Sequence, residues 1–175
     1  IDKYGTPMKL TYLPKIGMQI KKAKKMFETA FKKHKYEGKY FYCYCTKSSH
    51  FSFIVEEALK HEIHLETSFA YDIEIINKLY QKKKITKDIQ IICNGYKQKS
   101  YVARIAKLLN TGFKNVTPIL DNTDELQMYK RTVKVPFKLG IRVAAEEEPT
   151  FPFYTSRLGI RARDILEFYV DKIEG

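Results

Sequence analysis

Short apolar segments alternate with longer amphipathic segments along most of this chain, and the alternation limits its possible folds more than any other feature. The apolar segments have the length and composition of strands, whereas the segments between them repeat apolar residues at helical spacing. Because the connections are short, strict alternation predicts an α/β fold with a parallel sheet covered by helices. Strands are predicted at 40–45, 64–68, 89–93, 116–120 and 138–145.

Two architectures fit five parallel strands with helices between them. One is a small doubly wound domain, and the other is a partial (β/α)8 TIM-like barrel cut off after its fifth strand. No glycine fingerprint follows the first strand, which counts against a nucleotide-binding Rossmann domain. Residues 1–13 are predicted to be an extended segment that Pro14 closes, and apolar residues then recur at helical spacing from Ile16.

Composition and charge narrow the partners that we expect. Apolar residues make up 44% of the chain, but no apolar stretch is long enough to span a bilayer, so no membrane partner is expected. The net charge of +12 suits a site for phosphate or carboxylate, and the lysines are spread along polar helical faces and helix ends. Without a cluster of arginine and aromatic residues, we expect no nucleic acid partner. The odd number of cysteines, at apolar positions, favours reduced thiols and a cytoplasmic location.

Lys47 lies between the first predicted strand and the helix that follows it. The strand, 40–45, is aromatic and apolar on both faces, as is typical of a strand buried on both sides. An amine that aromatic side chains partly desolvate is activated to form a Schiff base with a carbonyl, including that of pyridoxal phosphate (PLP). The alternative is a strand-end lysine that points to water.

Polar residues end each of the predicted strands. Because the carboxyl ends of parallel strands meet at one edge of a sheet, we expect these residues to face a common ligand. Any one of them alone is typical of a cap or a loop, and their recurrence favours a site. In strand order they are Lys47, Glu66, Asn94, Asp121 with Asn122, and Arg142.

The order of these segments resembles the PLP-dependent decarboxylases of basic amino acids, which have an alanine-racemase-like barrel. Within that family the segments around Lys47 and at 145–149 are most similar to bacterial arginine decarboxylases. The segments that carry the resemblance are Tyr4-Gly5-Thr6-Pro7, Tyr44-Cys45-Thr46-Lys47, Leu65-Glu66-Thr67-Ser68, Ile92-Cys93-Asn94-Gly95-Tyr96-Lys97, Leu120-Asp121-Asn122, Gly140-Ile141-Arg142-Val143-Ala144 and Ser156-Arg157-Leu158-Gly159-Ile160.

The resemblance implies a role for several residues. Lys47 would hold PLP covalently, Glu66 would be the acidic residue near that lysine, and Arg142 would help to shape the cofactor pocket. Arg157 matches a basic residue near the family's dimer interface. Residues 14–175 would be the first part of the PLP-binding barrel, and residues 1–13 would belong to a second β-domain of a longer protein.

The resemblance also implies an activity. We expect a lyase that converts L-arginine to agmatine in polyamine biosynthesis, with a small amino acid as its partner and a homodimer or higher oligomer as its assembly. Ornithine, lysine and diaminopimelate decarboxylases of the same fold remain alternatives, as does a non-catalytic basic module that binds an anionic partner. The chain departs from the family's Lys-x-Asn at Lys47-Ser48-Ser49 and lacks its glycine-rich phosphate loops, so this fragment alone is expected to be inactive.

Overall fold

A parallel sheet with helices between its strands organises residues 3–144 and 158–174, the part of the chain that the computed structural model describes. A π-helix over Val170–Glu174 ends the described part of the chain. The elements in chain order are α1 (Pro14–Lys33), β1 (Cys43–Cys45), α2 (Ser52–Leu59), β2 (His64–Thr67), α3 (Ala70–Gln81), β3 (Ile91–Cys93), α4 (Lys99–Asn110), β4 (Val116–Leu120), α5 (Asp124–Thr132), β5 (Gly140–Ile141) and α6 (Ala162–Tyr169).

The strand order decides between the two architectures. The strands pair in chain order from β1 to β5, and every pair is parallel. A doubly wound sheet starts from an inner strand and reverses direction, so its order is not sequential. Sequential order belongs to a (β/α)8 barrel, and a parallel bridge between Val143 and Ile160 continues that order beyond β5. The predicted α/β fold, a partial TIM-like barrel, is confirmed.

The hydrophobic core lies between the sheet and its helices. Alternate strand residues such as Leu65, Ile91 and Val116 are buried on this face. On α3, Ile73 and Ile76 recur at helical spacing and are also buried. This packing explains why the amphipathic segments form helices, because each covers the buried side of a strand.

The opposite face of the sheet corresponds to the interior of a barrel, and it is only half-buried. Cys45, Glu66, Ile92 and Thr117 lie side by side across β1 to β4 on this face, because consecutive strands pair these residues in register. We call this surface the open face. Its polar and half-buried character distinguishes it from the apolar helix-covered face.

The first and fifth strands are much shorter than predicted. The first strand, predicted over 40–45 and buried on both sides, forms only at Cys43–Cys45 and is half-buried, because β1 is an edge strand of the described sheet. The fifth, predicted over 138–145, forms only at Gly140–Ile141, because its pairing with β4 involves only the last two residues of that strand. Ala145 lies outside the described residues.

All three cysteines are free thiols, of which Cys93 is buried and Cys43 and Cys45 are half-buried. Across residues 3–144 and 158–174, no helix is both long and apolar enough to cross a membrane. In the same part of the chain, no three side chains of His, Cys, Asp or Glu are grouped so as to hold a metal ion.

Candidate functional site

The polar residues predicted to share one edge of the sheet do so. Since all five strands are parallel, their carboxyl ends form a single edge, which we call the rim. Glu66 lies in β2, while the other four follow their strands within two residues. These rim residues are Lys47, Glu66, Asn94, Asp121 and Arg142.

Glu66 is held between β1 and β3 on the open face. Its Oε1 accepts a hydrogen bond from Asn94 Nδ2 at 3.3 Å, and the Cys45 thiol lies 3.7 Å from the same oxygen. Asn94 is itself fixed, because its backbone N–H donates to Thr67 O at 2.9 Å. The Glu66 carboxylate is therefore oriented by neighbours on both sides while it stays half-buried.

Arg142 and Asp121 form the second contact among the rim residues. Arg142 Nη1 lies 3.6 Å from Asp121 Oδ1, an ion pair across β4 and β5. The backbone N–H of Arg142 donates to Leu120 O at 2.9 Å, which fixes the two residues side by side. The Asp121 side chain is 1% exposed and that of Arg142 is 36% exposed, so the guanidinium extends from a buried carboxylate toward solvent.

Lys47 is exposed, in contrast with the prediction that aromatic side chains desolvate it. It lies in a turn closed by a hydrogen bond from Ser48 N to Cys45 O at 3.1 Å. The reason is that successive side chains of a strand point to opposite faces of the sheet. Tyr44 pairs in register with buried Leu65 and so lies on the helix-covered face, away from Glu66, where it does not desolvate Lys47. The Lys47 side chain is therefore in contact with water, and its predicted bond to PLP stays a prediction.

The turn that carries Lys47 is attached to β2 rather than to β1 alone. The backbone N–H and the hydroxyl of Thr46 both donate to Glu66 O at 3.0 Å. Thr46 is completely buried, so the residue before Lys47 is anchored, whereas Lys47 itself is exposed. This arrangement places an accessible amine next to the strand that bears Glu66.

Sequence reasoning missed a buried ion pair between Lys97 and Glu125. The Lys97 ammonium lies 3.7 Å from Glu125 Oε2 and donates to the carbonyls of Gly95 and Ile119. Its side chain is fully buried, which corrects the expectation that the lysines are solvated on helical faces. A signal was present, because Lys97 falls in the turn between a buried strand and its helix.

The buried pair joins the loops that follow β3 and β4. Glu125 accepts hydrogen bonds from the backbone N–H groups of Lys97 at 2.9 Å and of Asp121 at 3.0 Å. Desolvation lowers the pKa of Lys97 and raises the pKa of Glu125, so burial opposes both charges. We therefore regard this pair as a brace beneath the rim and not as a group that contacts ligand.

Two known proteins resemble this chain over most of its length. No protein-family model matches the chain. Over 93% of its length the chain is 23% identical to the biosynthetic arginine decarboxylase of Bacteroides thetaiotaomicron. The crystal structure of the biosynthetic arginine decarboxylase SpeA from Campylobacter jejuni superposes on 97% of the chain with a TM-score of 0.73 and 19% identity. The chain shares the fold of the matched part of that enzyme.

The matches also define how much of those proteins the chain represents. It spans 27% of the length of the Bacteroides protein and 28% of the Campylobacter chain. Arg157, which sequence resemblance connects with a dimer interface, lies outside the described residues.

Proposed function

We propose that this chain is part of a PLP-dependent decarboxylase of a basic amino acid, and that L-arginine is the substrate and agmatine the product. The observation that carries the proposal is an exposed lysine at the carboxyl end of the first strand of a fold shared with a biosynthetic arginine decarboxylase. Catalytic residues of (β/α)8 barrels lie at the carboxyl ends of strands, where Lys47 lies.

The rim residues fit the chemical groups of PLP. A covalent bond to its aldehyde requires an accessible amine, which Lys47 provides on its turn. Arg142 offers a partly exposed guanidinium to a phosphate or carboxylate, and Glu66 offers an oriented carboxylate. When bound, PLP supplies a sink for the electrons that a departing carboxylate leaves behind.

Barrel closure explains how Lys47 and Arg142 serve one site. They follow β1 and β5, which are separated along the sheet by four strand spacings of about 4.8 Å, or ~19 Å in total. In an eight-stranded barrel the first and fifth strands face each other across the interior. We therefore place the complete site in the full-length protein, where closure brings both side chains toward the barrel axis.

Release of CO2 from carboxyl-labelled amino acids by the full-length protein tests this proposal. Arginine, ornithine, lysine and diaminopimelate are compared, and we expect the fastest release from arginine. Lys47→Ala and Lys47→Arg are expected to abolish release, because neither retains an amine that bonds to the aldehyde. Lys99→Ala, at an exposed lysine near the rim, serves as the matched control and is expected to retain activity.

The possible outcomes test the choice of substrate and the class of enzyme separately. Faster release from ornithine, lysine or diaminopimelate would replace arginine as substrate and keep the decarboxylase assignment. Full activity in Lys47→Ala, or no release from any of the four by protein supplied with PLP, would contradict the proposal. The 175-residue fragment is expected to release no CO2.

A further inference from the structure

Within the described part of the chain, the Asp121 carboxylate is buried without the hydrogen bonds that normally accompany a buried charge. Its side chain is 1% exposed, and neither carboxylate oxygen has a hydrogen-bond donor among the residues that the structure describes. Burial of a carboxylate without hydrogen bonds is costly. Its nearest described cation at the rim is the Arg142 guanidinium, with Nη1 at 3.6 Å from Oδ1.

The backbone of Asp121 is fixed from two directions. Its N–H donates to Glu125 Oε2 at 3.0 Å, and Glu125 is held in turn by the buried Lys97. Its carbonyl accepts a hydrogen bond from Gly159 N at 3.1 Å. The Asp121 carboxylate therefore projects from a rigidly held backbone at the rim.

The backbone of Arg142 is fixed equally well. Its N–H donates to Leu120 O at 2.9 Å, and its carbonyl accepts from Ile160 N at 2.8 Å. Gly159 permits this approach, because its φ is +104° and a Cβ there would lie 2.8 Å from Arg142 O. What remains free is the long side chain, whose rotamer freedom a buried partner restricts.

We propose that Asp121 is a positioning residue that directs the Arg142 guanidinium toward the anionic group of a ligand on the open face. This inference rests on the proposed function, because it takes Arg142 as part of the cofactor and substrate pocket. Asp121 itself does not contact ligand, since its side chain is enclosed. The anion is the phosphate of the cofactor or the carboxylate of the substrate, which share the geometry that a guanidinium recognises.

The test uses the full-length protein in four variants: Asp121→Asn, Arg142→Gln, the double variant, and Asp88→Asn as a control. Asp88 pairs with Lys114 at 3.0 Å on an exposed surface, so its replacement removes an ion pair that lies away from the rim. Titration with PLP and with pyridoxal, which lacks the phosphate, is combined with KM and kcat for arginine. All measurements are made below the melting transition of each variant.

We expect Asp121→Asn to weaken binding of the anion by roughly 10–100-fold, the range for residues that orient a ligand-binding group. Weaker PLP binding with unchanged pyridoxal binding identifies the phosphate as the anion. Unchanged PLP binding with raised KM and steady kcat identifies the substrate carboxylate. Because Asp121 acts through Arg142, the double variant is expected to be no weaker than Arg142→Gln alone.

Other outcomes overturn the inference. Additive losses in the double variant would show that Asp121 acts without Arg142. A lowered thermal midpoint with unchanged PLP affinity and KM would leave Asp121 with a purely structural role. If the wild-type protein binds no PLP, the proposed function fails and this inference fails with it, whereas normal PLP binding in all four variants with unchanged KM overturns this inference alone.

Discussion

The two sides of the rim are built in opposite ways. On the side of β3 and β4, Lys97 and Glu125 are fully buried and hydrogen-bonded to the loops that end these strands. On the side of β1, Lys47 is exposed on a short turn, and the described contacts that hold the turn involve its neighbours, not its own side chain.

In the proposed enzyme, this difference suits one side of the rim to be the scaffold and the other to carry the reactive group. A buried, hydrogen-bonded pair costs desolvation energy and fixes the loops around it, which suits a framework that must not move. An exposed amine on an anchored turn retains rotamer freedom, which suits a group that bonds to a ligand and is later displaced. The proposed enzyme needs both properties within one rim.

Breaking the buried pair should produce the largest change in stability. Lys97→Met or Glu125→Gln alone is expected to lower the free energy of unfolding by about 3–5 kcal/mol, because each leaves an uncompensated group in the interior. The double variant Lys97→Met/Glu125→Leu should recover much of that loss. Denaturant unfolding of the full-length protein, followed by a probe near the rim, measures the effect.

A matched surface pair sharpens this contrast. Lys114→Ala removes the exposed partner of Asp88 and is expected to change stability by less than about 1 kcal/mol. Single variants of Lys97 and Glu125 that cost no more than Lys114→Ala would show that the buried side is not a brace.

The buried side should also respond to alkaline pH through Cys93. Burial raises the pKa of this β3 thiol from its ordinary 9.0 to about 11. Below pH 9 the thiol is neutral in both the folded and the unfolded chain, so its contribution to stability is fully present. Between pH 9 and 11 only the unfolded chain ionises, and stability is lost by up to about 1.4 kcal/mol per pH unit.

Comparison with Cys93→Ala isolates this thiol. Burial also raises the pKa of Tyr101 and Tyr129, whose ordinary value is 10.0, and both remain in the variant. The difference between wild type and Cys93→Ala should therefore shrink as pH rises from 9 to 11. A difference that stays constant over that interval would mean that Cys93 ionises normally in the folded protein.

Glu66, between the two sides, should show only a small change in stability. Glu66→Gln retains an oxygen that accepts from Asn94 and is expected to alter unfolding by no more than about 1 kcal/mol. Loss of its charge should nevertheless weaken PLP binding by roughly 10–100-fold. Asn94→Ala, which removes the hydrogen bond and keeps the charge, is the companion variant, and unchanged PLP affinity in Glu66→Gln would remove Glu66 from the cofactor site.

The alternation of strands and helices was sufficient to predict the parallel sheet and the location of the rim residues. Pro14, predicted to close the extended segment before it, is the first residue of α1, where proline is favoured. The resemblance to decarboxylases with a barrel fold anticipated the sequential strand order that the structure shows. These features follow from local periodicity and chain order, both of which a sequence displays.

Contacts between distant residues were not predictable in the same way. Lys97 and Glu125 are 28 residues apart, and their pairing depends on β3 and β4 being neighbours. The position of Lys97 between a buried strand and a helix was a signal, but a lysine near a turn is ordinarily solvated, and its partner Glu125 could not be identified from that position. The exposure of Lys47 was missed for a related reason, because Tyr44, three residues before it, lies on the other face of the sheet.

Borohydride reduction of the full-length protein with PLP tests the central claim most directly. Reduction fixes the cofactor on the lysine that bonds to it, and peptide mass mapping identifies that residue. The account predicts the label on Lys47 and none on the buried Lys97. A label on Lys99 or another lysine, with Lys47 unmodified, would contradict it.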